Sequence, residues 1–263
     1  MSYELIIRLT AFLSLFSVFA ILEALAPRRQ RVQSRTNRWT TNFAIVAIDS
    51  LTLRAMAWAV PLLATGAAVD ASRHGWGLLN ALDWPLWLAW VVTILVFDFA
   101  IWLQHRISHE VPLFWRFHRV HHADRDFDVT TAIRFHPVEI AASMGLKIVL
   151  VYALGPPALA VVAFEVLLNG TALFNHANLR LPLGMDRALR LILVTPDMHR
   201  VHHSVLRAEH DSNYGFALSI WDRLFHTYTA QPAAGHETMA IGLQWQDQRP
   251  ARLGWSLMLP FRK

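Results

Sequence analysis

The pentapeptide His-Arg-Val-His-His occurs twice in this chain, at His118 to His122 and at His199 to His203, and His105-Arg-Ile-Ser-His109 lies just upstream of the first copy. Any fold the chain adopts has to accommodate eight imidazoles in three tight clusters. Residues three and four apart share one face of a helix, so His118, His121 and His122 are expected to converge on one point, as are His199, His202 and His203. His105 and His109 are likewise one turn apart. A structural zinc takes four ligands and a catalytic zinc three plus water, so eight imidazoles exceed one ion and suffice for two with an open position between them. Imidazole suits iron, zinc, copper and nickel alike, which leaves the metal unnamed. His74, His210, His226 and His236 stand alone and are expected at the surface or in hydrogen bonds.

The clusters sit in a chain too apolar for an ordinary soluble domain, with 54% hydrophobic and only 16% charged residues. Tyr3 to Leu25 is long enough to span a bilayer and lacks a small-residue cleavage site, so it is expected to stay as a first span. A second apolar segment runs from Asn42 to Ala68 and a third from Trp84 to about Gln104, where it flows into the first histidine cluster. Val138 to Phe174 is apolar apart from Gly155-Pro156-Pro157, a pattern that suits a hairpin of two short helices with both ends on one side. Arg28, Arg29, Arg31, Arg35 and Arg38 crowd the loop after the first span without an acid, which places that loop in the cytoplasm. Counting across, all three clusters and His176 meet at one cytoplasmic face.

The fold expected is therefore all-α: an integral membrane helical bundle of about three spans plus a helical hairpin, with a cytoplasmic helical cap carrying the histidines. Residues 1–84 would form the N-terminal spans and basic loop, 85–230 a catalytic domain, and 231–263 a tail packed on the cap or the membrane interface.

Several chemistries are excluded. The chain has no cysteine, hence no disulfide, thiolate-ligated haem or Cys-ligated iron–sulfur cluster. His109-Glu110 is followed by Leu113 where a zinc protease motif needs histidine, and there is no GxxxxGK[ST], GxGxxG or GxSxG. The net charge of +5 comes largely from arginines near the membrane, which suits anionic lipid better than nucleic acid. Asp98 falls on the helical face of His105 and His109, and an acid at that depth is expected to accept the free N–H of a ligand imidazole in preference to making a plain hydrogen bond between helices. Glu165 and Asn169, on the face leading to His176, suit either a similar part or a polar contact within the bundle. A histidine-rich metal transporter or metal-binding protein is the rival reading, but its ligands would follow a path through several spans near the midplane.

Further motifs surround the histidines: Asp98-Phe-Ala-Ile-Trp-Leu-Gln-His105-Arg, Arg134-Phe-His136-Pro-Val-Glu139, Phe174-Asn-His176-Ala-Asn178, Asn213-Tyr-Gly215 and Trp221-Asp222. Together, over roughly residues 90 to 230, they resemble the bacterial branch of the membrane fatty acid hydroxylase and sterol desaturase superfamily. The resemblance implies two iron ions, with zinc able to replace them, held by His105, His109, His118, His121, His122, His176, His199, His202 and His203. His136 is either a further ligand or a donor behind one, and Asn178 is carried over as a site residue. His226 departs from the family, which usually has Gly there. The resemblance also implies an O2-dependent oxidoreductase that hydroxylates or desaturates an acyl chain or a sterol-like lipid. Since the chain carries no flavin, haem or nicotinamide module, a separate electron donor is implied, a ferredoxin or a cytochrome-type reductase system. Arg106, Arg116, Arg119 and Arg200 are candidate docking residues for it, though Arg106, Arg119 and Arg200 suit lipid phosphate or neighbouring acids equally well. The place implied is a bacterial inner membrane, with the site on its cytoplasmic face.

Overall fold

The computed structural model describes residues 3–59 and 63–262, and these form helices, turns and loops without a strand. In chain order the helices that position the site are α1 Tyr3–Leu25, α2 Arg35–Ala59, α3 Ala64–His74, α4 Leu78–Ala81, α5 Leu86–Glu110, α6 Pro112–His122, α7 Pro137–Leu154, α8 Ala158–His176, α9 Leu183–Leu189 and α10 Pro196–His202. Among the described residues four are long and apolar enough to cross a membrane, α1, α5, α7 and α8, and the chain is a multi-pass helical bundle. The expected span from Asn42 to Ala68 divides instead between α2 and α3, and Pro61 and its two neighbours lie outside the described residues. Asp49 and Arg54 interrupt the apolar character of α2, which is not among the four.

Proline and glycine set the turns. Pro112 opens α6 and disfavours helix at Val111, whose φ of −95° and ψ of 116° end α5. The chain folds back there, and α6 packs on α5 with histidine facing histidine. Gly155 takes a left-handed φ of 68° after α7, where a side chain would be strained, and Pro156-Pro157 leads into α8. The two helices expected either side of that turn are present, but they pack on α3 and α5 rather than on each other. Thr195 caps α10 by accepting from the Met198 amide at 3.3 Å, with Pro196 at the first helical position. Below the histidines, Phe97 of α5 meets Phe164 of α8 edge to face at 5.3 Å within an apolar core that α3 and α7 complete.

The basic loop is bound to the rest of the chain. Arg38, 1% exposed, holds Asp124 at 2.7 Å and Asp128 at 2.6 Å. Arg28 pairs with Asp197 and Glu237, Arg31 with Glu23, and Arg29 donates to the Met239 carbonyl. The tail packs as expected on the cap, where Trp255 and Leu259 join Val120 and Ala123 at the end of α6.

Candidate metal centre

The end of α5, all of α6, the end of α8 and α10 meet in one place, and nine buried imidazoles collect there in two groups. His105, His109, His118, His122 and His202 form the first; His121, His176, His199 and His203 form the second; within each group the ligand atoms lie within 4.8 Å of one another. Each pentapeptide is thus shared between the groups and does not converge on one point as its spacing suggested. At 3.6 residues per turn, positions i and i+4 differ by roughly 40° while i+3 swings about 60° the other way. His118 and His122 accordingly face one group and His121 the other; His199 and His203 pair against His202 in the mirrored sense.

The rings point their Nε2 atoms at each other. His105 and His118 are 3.0 Å apart at Nε2, His109 and His122 3.1 Å, His121 and His176 3.1 Å, and His176 and His199 3.1 Å. Two nitrogens at the ~2.1 Å of a metal–imidazole bond, set at about 90–110°, stand about 3.0–3.4 Å apart, so the spacing fits ions held between them. Both nitrogens of His203 and Nε2 of His202 are buried without a hydrogen-bond partner. Burial first, and neighbouring imidazoles second, hold His121, His122, His199, His202 and His203 well below the usual histidine range. They are therefore neutral at pH 7, the form that binds a metal.

Outward-facing nitrogens fix the rings. Nδ1 of His105 donates to the Tyr214 carbonyl at 2.7 Å, that of His202 to Ser212 at 2.7 Å, and that of His176 to Ala172 at 2.8 Å. A carbonyl only accepts, so Nδ1 carries the proton and Nε2 keeps its lone pair for a metal. His118 reaches Glu139 at 2.6 Å and His109 reaches Asp211 at 3.2 Å. Phe135 stacks on His121 at 4.4 Å and Phe127 on His176 at 5.4 Å, closing the second group off from water.

Three expected site residues are placed elsewhere. Asp98 accepts from the Trp221 indole at 2.8 Å and the Leu218 amide at 3.3 Å, and so anchors a loop without touching an imidazole. Asn178 exchanges hydrogen bonds with the backbone of Arg29. His136 caps α7, its Nδ1 accepting from the Val138 amide and its Nε2 facing the Leu257 carbonyl, outside both groups. Arg200 is fully buried against Asp197, which removes it from any docking surface. Glu165 is taken by Arg8 and Lys147. His210 and His236 are buried rather than superficial; His210 takes the hydrogen-bonding role, at 3.2 Å from the Ser204 carbonyl, and forms a third small group with His109 and Asp211.

Glu139 and Asp211, the acids that do touch ligand rings, carry no sequence signal beyond the place of Glu139 in the Arg134 motif. The remaining motifs make a clasp. Asp222 accepts from the amides of Tyr214 and Gly215 and from the Trp102 indole, which presents the Tyr214 carbonyl to His105. A side chain at Gly215 would meet the Leu218 carbonyl at 2.8 Å. His226 has a φ of 57°, the left-handed conformation in which glycine is at ease.

A cavity of about 380 Å³ reaches the first group. His105 and His118 close its inner end, and α1, α2, α5, α7 and α8 supply mainly apolar walls, among them Phe12, Leu53, Ile101 and Leu168.

Fold and site together define a multi-pass membrane protein with a candidate two-metal histidine centre opening on an apolar cavity. Residues 90–227 match the fatty acid hydroxylase family, and the chain belongs to it. It is 29% identical over 236 residues to the ornithine lipid hydroxylase OlsE of Rhizobium tropici, covering 88% of this chain and 69% of that one. It is 34% identical to the alkylglycerol monooxygenases of Xenopus tropicalis over 58% of this chain and of Homo sapiens over 62%, and spans 33% and 34% of their lengths. No solved structure matches it.

Proposed function

We propose that this chain is an O2-dependent lipid hydroxylase that holds two iron ions on nine imidazoles. The observation that carries the reading is that His105 and His118 belong at once to the first histidine group and to the wall of the apolar cavity. His105, His109, His118, His122 and His202 would hold one ion and His121, His176, His199 and His203 the other. Two irons held there would supply O2 activation and attack on an unactivated C–H bond.

The protein's own part is orientation and exclusion. Neutral imidazoles present lone pairs, Glu139, Asp211 and three carbonyls hold the rings in register, and Phe127 and Phe135 keep water from the second group. The cavity walls align a lipid so that one carbon lies beside His105 and His118. OlsE and the alkylglycerol monooxygenases carry names that specify polar-headed lipids, and the substrate proposed here is a lipid of that broad kind. Electrons come from a separate ferredoxin or cytochrome-type carrier at the cytoplasmic face of a bacterial inner membrane, with exposed Arg116 beside the site as a docking residue. A desaturase reading shares every one of these residues and differs only in product.

Protein purified without oxygen after iron-replete growth is expected to carry two irons per chain, to show the spectrum of a coupled pair, and to consume O2 when reduced in the presence of lipid. Less than one metal per chain, or zinc alone with no O2 uptake, refutes the reading.

A further inference from the structure

Three oxygen acceptors line the inner part of the cavity without a donor to receive. Asp49 of α2 is 5% exposed, meets no hydrogen-bond donor among the described residues, and has its Oδ1 fully buried. Glu139 of α7 gives Oε1 to His118 and leaves Oε2 buried and unpartnered. Gln104 of α5, next to the ligand His105, buries its Oε1 in the same way. Four donors on the same wall are engaged elsewhere. Arg8 and Lys147 both close on Glu165, at 2.5 Å and 2.6 Å. The hydroxyls of Ser50 and Ser108 donate to Val46 and Gln104 carbonyls of their own helices.

A buried acceptor with no donor forfeits the hydrogen bond it made in water, and hydrocarbon cannot restore it. The contact with His118 accounts for Glu139, but a cavity meant for acyl chain alone would gain by having leucine at 49 and 104. We propose that Asp49, Glu139 and Gln104 form a subsite for the hydrogen-bond donors of a lipid head group: hydroxyl, amide N–H or ammonium. The subsite adjoins the first histidine group, so the carbon presented for oxidation lies within a few bonds of the head group and the tail runs away along the apolar wall. The placement of that carbon rests on the hydroxylase reading; the donor subsite itself does not.

The test reads binding, without reductant and so without turnover. Full-length metal-loaded protein in nanodiscs is titrated with hexadecan-1-ol, hexadecylamine and hexadecyl methyl ether, equal in chain and differing in whether the head donates. The alcohol and the amine are expected to bind about tenfold tighter than the ether, equivalent to about 1.4 kcal/mol. Asp49→Leu is expected to reduce that advantage to below about threefold with ether binding unchanged. Asp49→Asn, nearly isosteric should the leucine variant not fold, is expected to lose the amine's advantage and keep the alcohol's, which separates ammonium from neutral donors. Equal binding of all three lipids to the wild type, or an undiminished amine advantage in Asp49→Asn, overturns the subsite. Turnover adds a second readout: a product hydroxyl far along the chain overturns the placement of the oxidised carbon. Because binding and iron-dependent O2 uptake are measured separately, either reading can fall while the other stands.

Discussion

Replacing Arg38 by methionine isolates the device that ties the basic loop to the first pentapeptide. The Arg38 guanidinium makes three short bonds, to both oxygens of Asp124 at 2.7 and 2.8 Å and to Asp128 at 2.6 Å, with all three side chains at most 2% exposed. Methionine fills much of the volume and leaves Asp124 without an ion pair and Asp128 with only the long one to Arg31 at 3.9 Å. Removing one partner of a buried ion pair costs about 3–5 kcal/mol. Neutral donors soften the loss here: Thr131 and Asn42 on Asp124, Trp39 and Thr130 on Asp128. An orphaned carboxylate can also take a proton, at a cost near 4 kcal/mol at pH 7 from its ordinary pKa. The expected loss is therefore about 4 kcal/mol, or a fall in Tm of about 8–16 °C for a chain of this size.

Acid response checks the same reasoning with a fixed sign. Burial works to raise the Asp128 pKa and the Arg38 guanidinium outweighs it, holding the carboxyl well below the usual range. The contribution is thus complete above about pH 4 and is lost as pH falls through the folded value. Without Arg38 burial is opposed only by the weaker donors Thr130 and Trp39, so acid unfolding of the variant should begin at higher pH than in the wild type. Thermal melts of the wild type, Arg38→Met and Arg38→Met/Asp124→Asn/Asp128→Asn in one detergent settle the matter, since removing the orphaned charges should restore much of the loss. A single variant melting within about 2 °C of wild type, or a triple variant as unstable as the single one, refutes the account.

Glu139→Leu, which frees the His118 ring, should weaken metal retention by about 10–100-fold against a chelator; unchanged retention would mean that the Glu139 contact does not orient a ligand. His121→Ala and His202→Ala draw on different groups, so each should lower metal content and abolish turnover; activity surviving both would void the ligand assignment. His226→Gly relieves an exposed left-handed residue and should stabilise the protein by about 1 kcal/mol, read as a higher Tm with metal content unchanged. A lower Tm would show that the His226 ring makes a contact worth more than the strain.

Much of this protein is legible in its sequence. Runs of apolar residues about 20 long mark spans because a bilayer core leaves a helix few alternatives. The Gly155-Pro156-Pro157 turn is legible because backbone restrictions are local, and eight of the nine imidazoles because residue type and short spacing are explicit in the chain, whereas the lone His176 came with the family resemblance. The Asn42 to Ala68 segment misled for the converse reason: its apolar average hides Asp49, whose side chain turns to an internal cavity.

Partners across the chain depend on the tertiary structure alone. Asp98 has the right helical phase for His105 and still bonds Trp221, since phase gives a direction and not the neighbour that fills it. The basic loop reads as a membrane-facing patch, yet Arg38 is enclosed by acids that stand 86 and 90 residues further on. Likewise the division of each pentapeptide between two groups, the acids behind His109 and His118, and the unpartnered oxygens of the cavity arise where helices cross. Sequence determined which atoms can bind metal and that they lie where apolar helices end, because both are properties of short segments. Tertiary packing decided which metal group each ring joins, what holds it and what the cavity can receive, because those depend on distances between segments that no local pattern encodes.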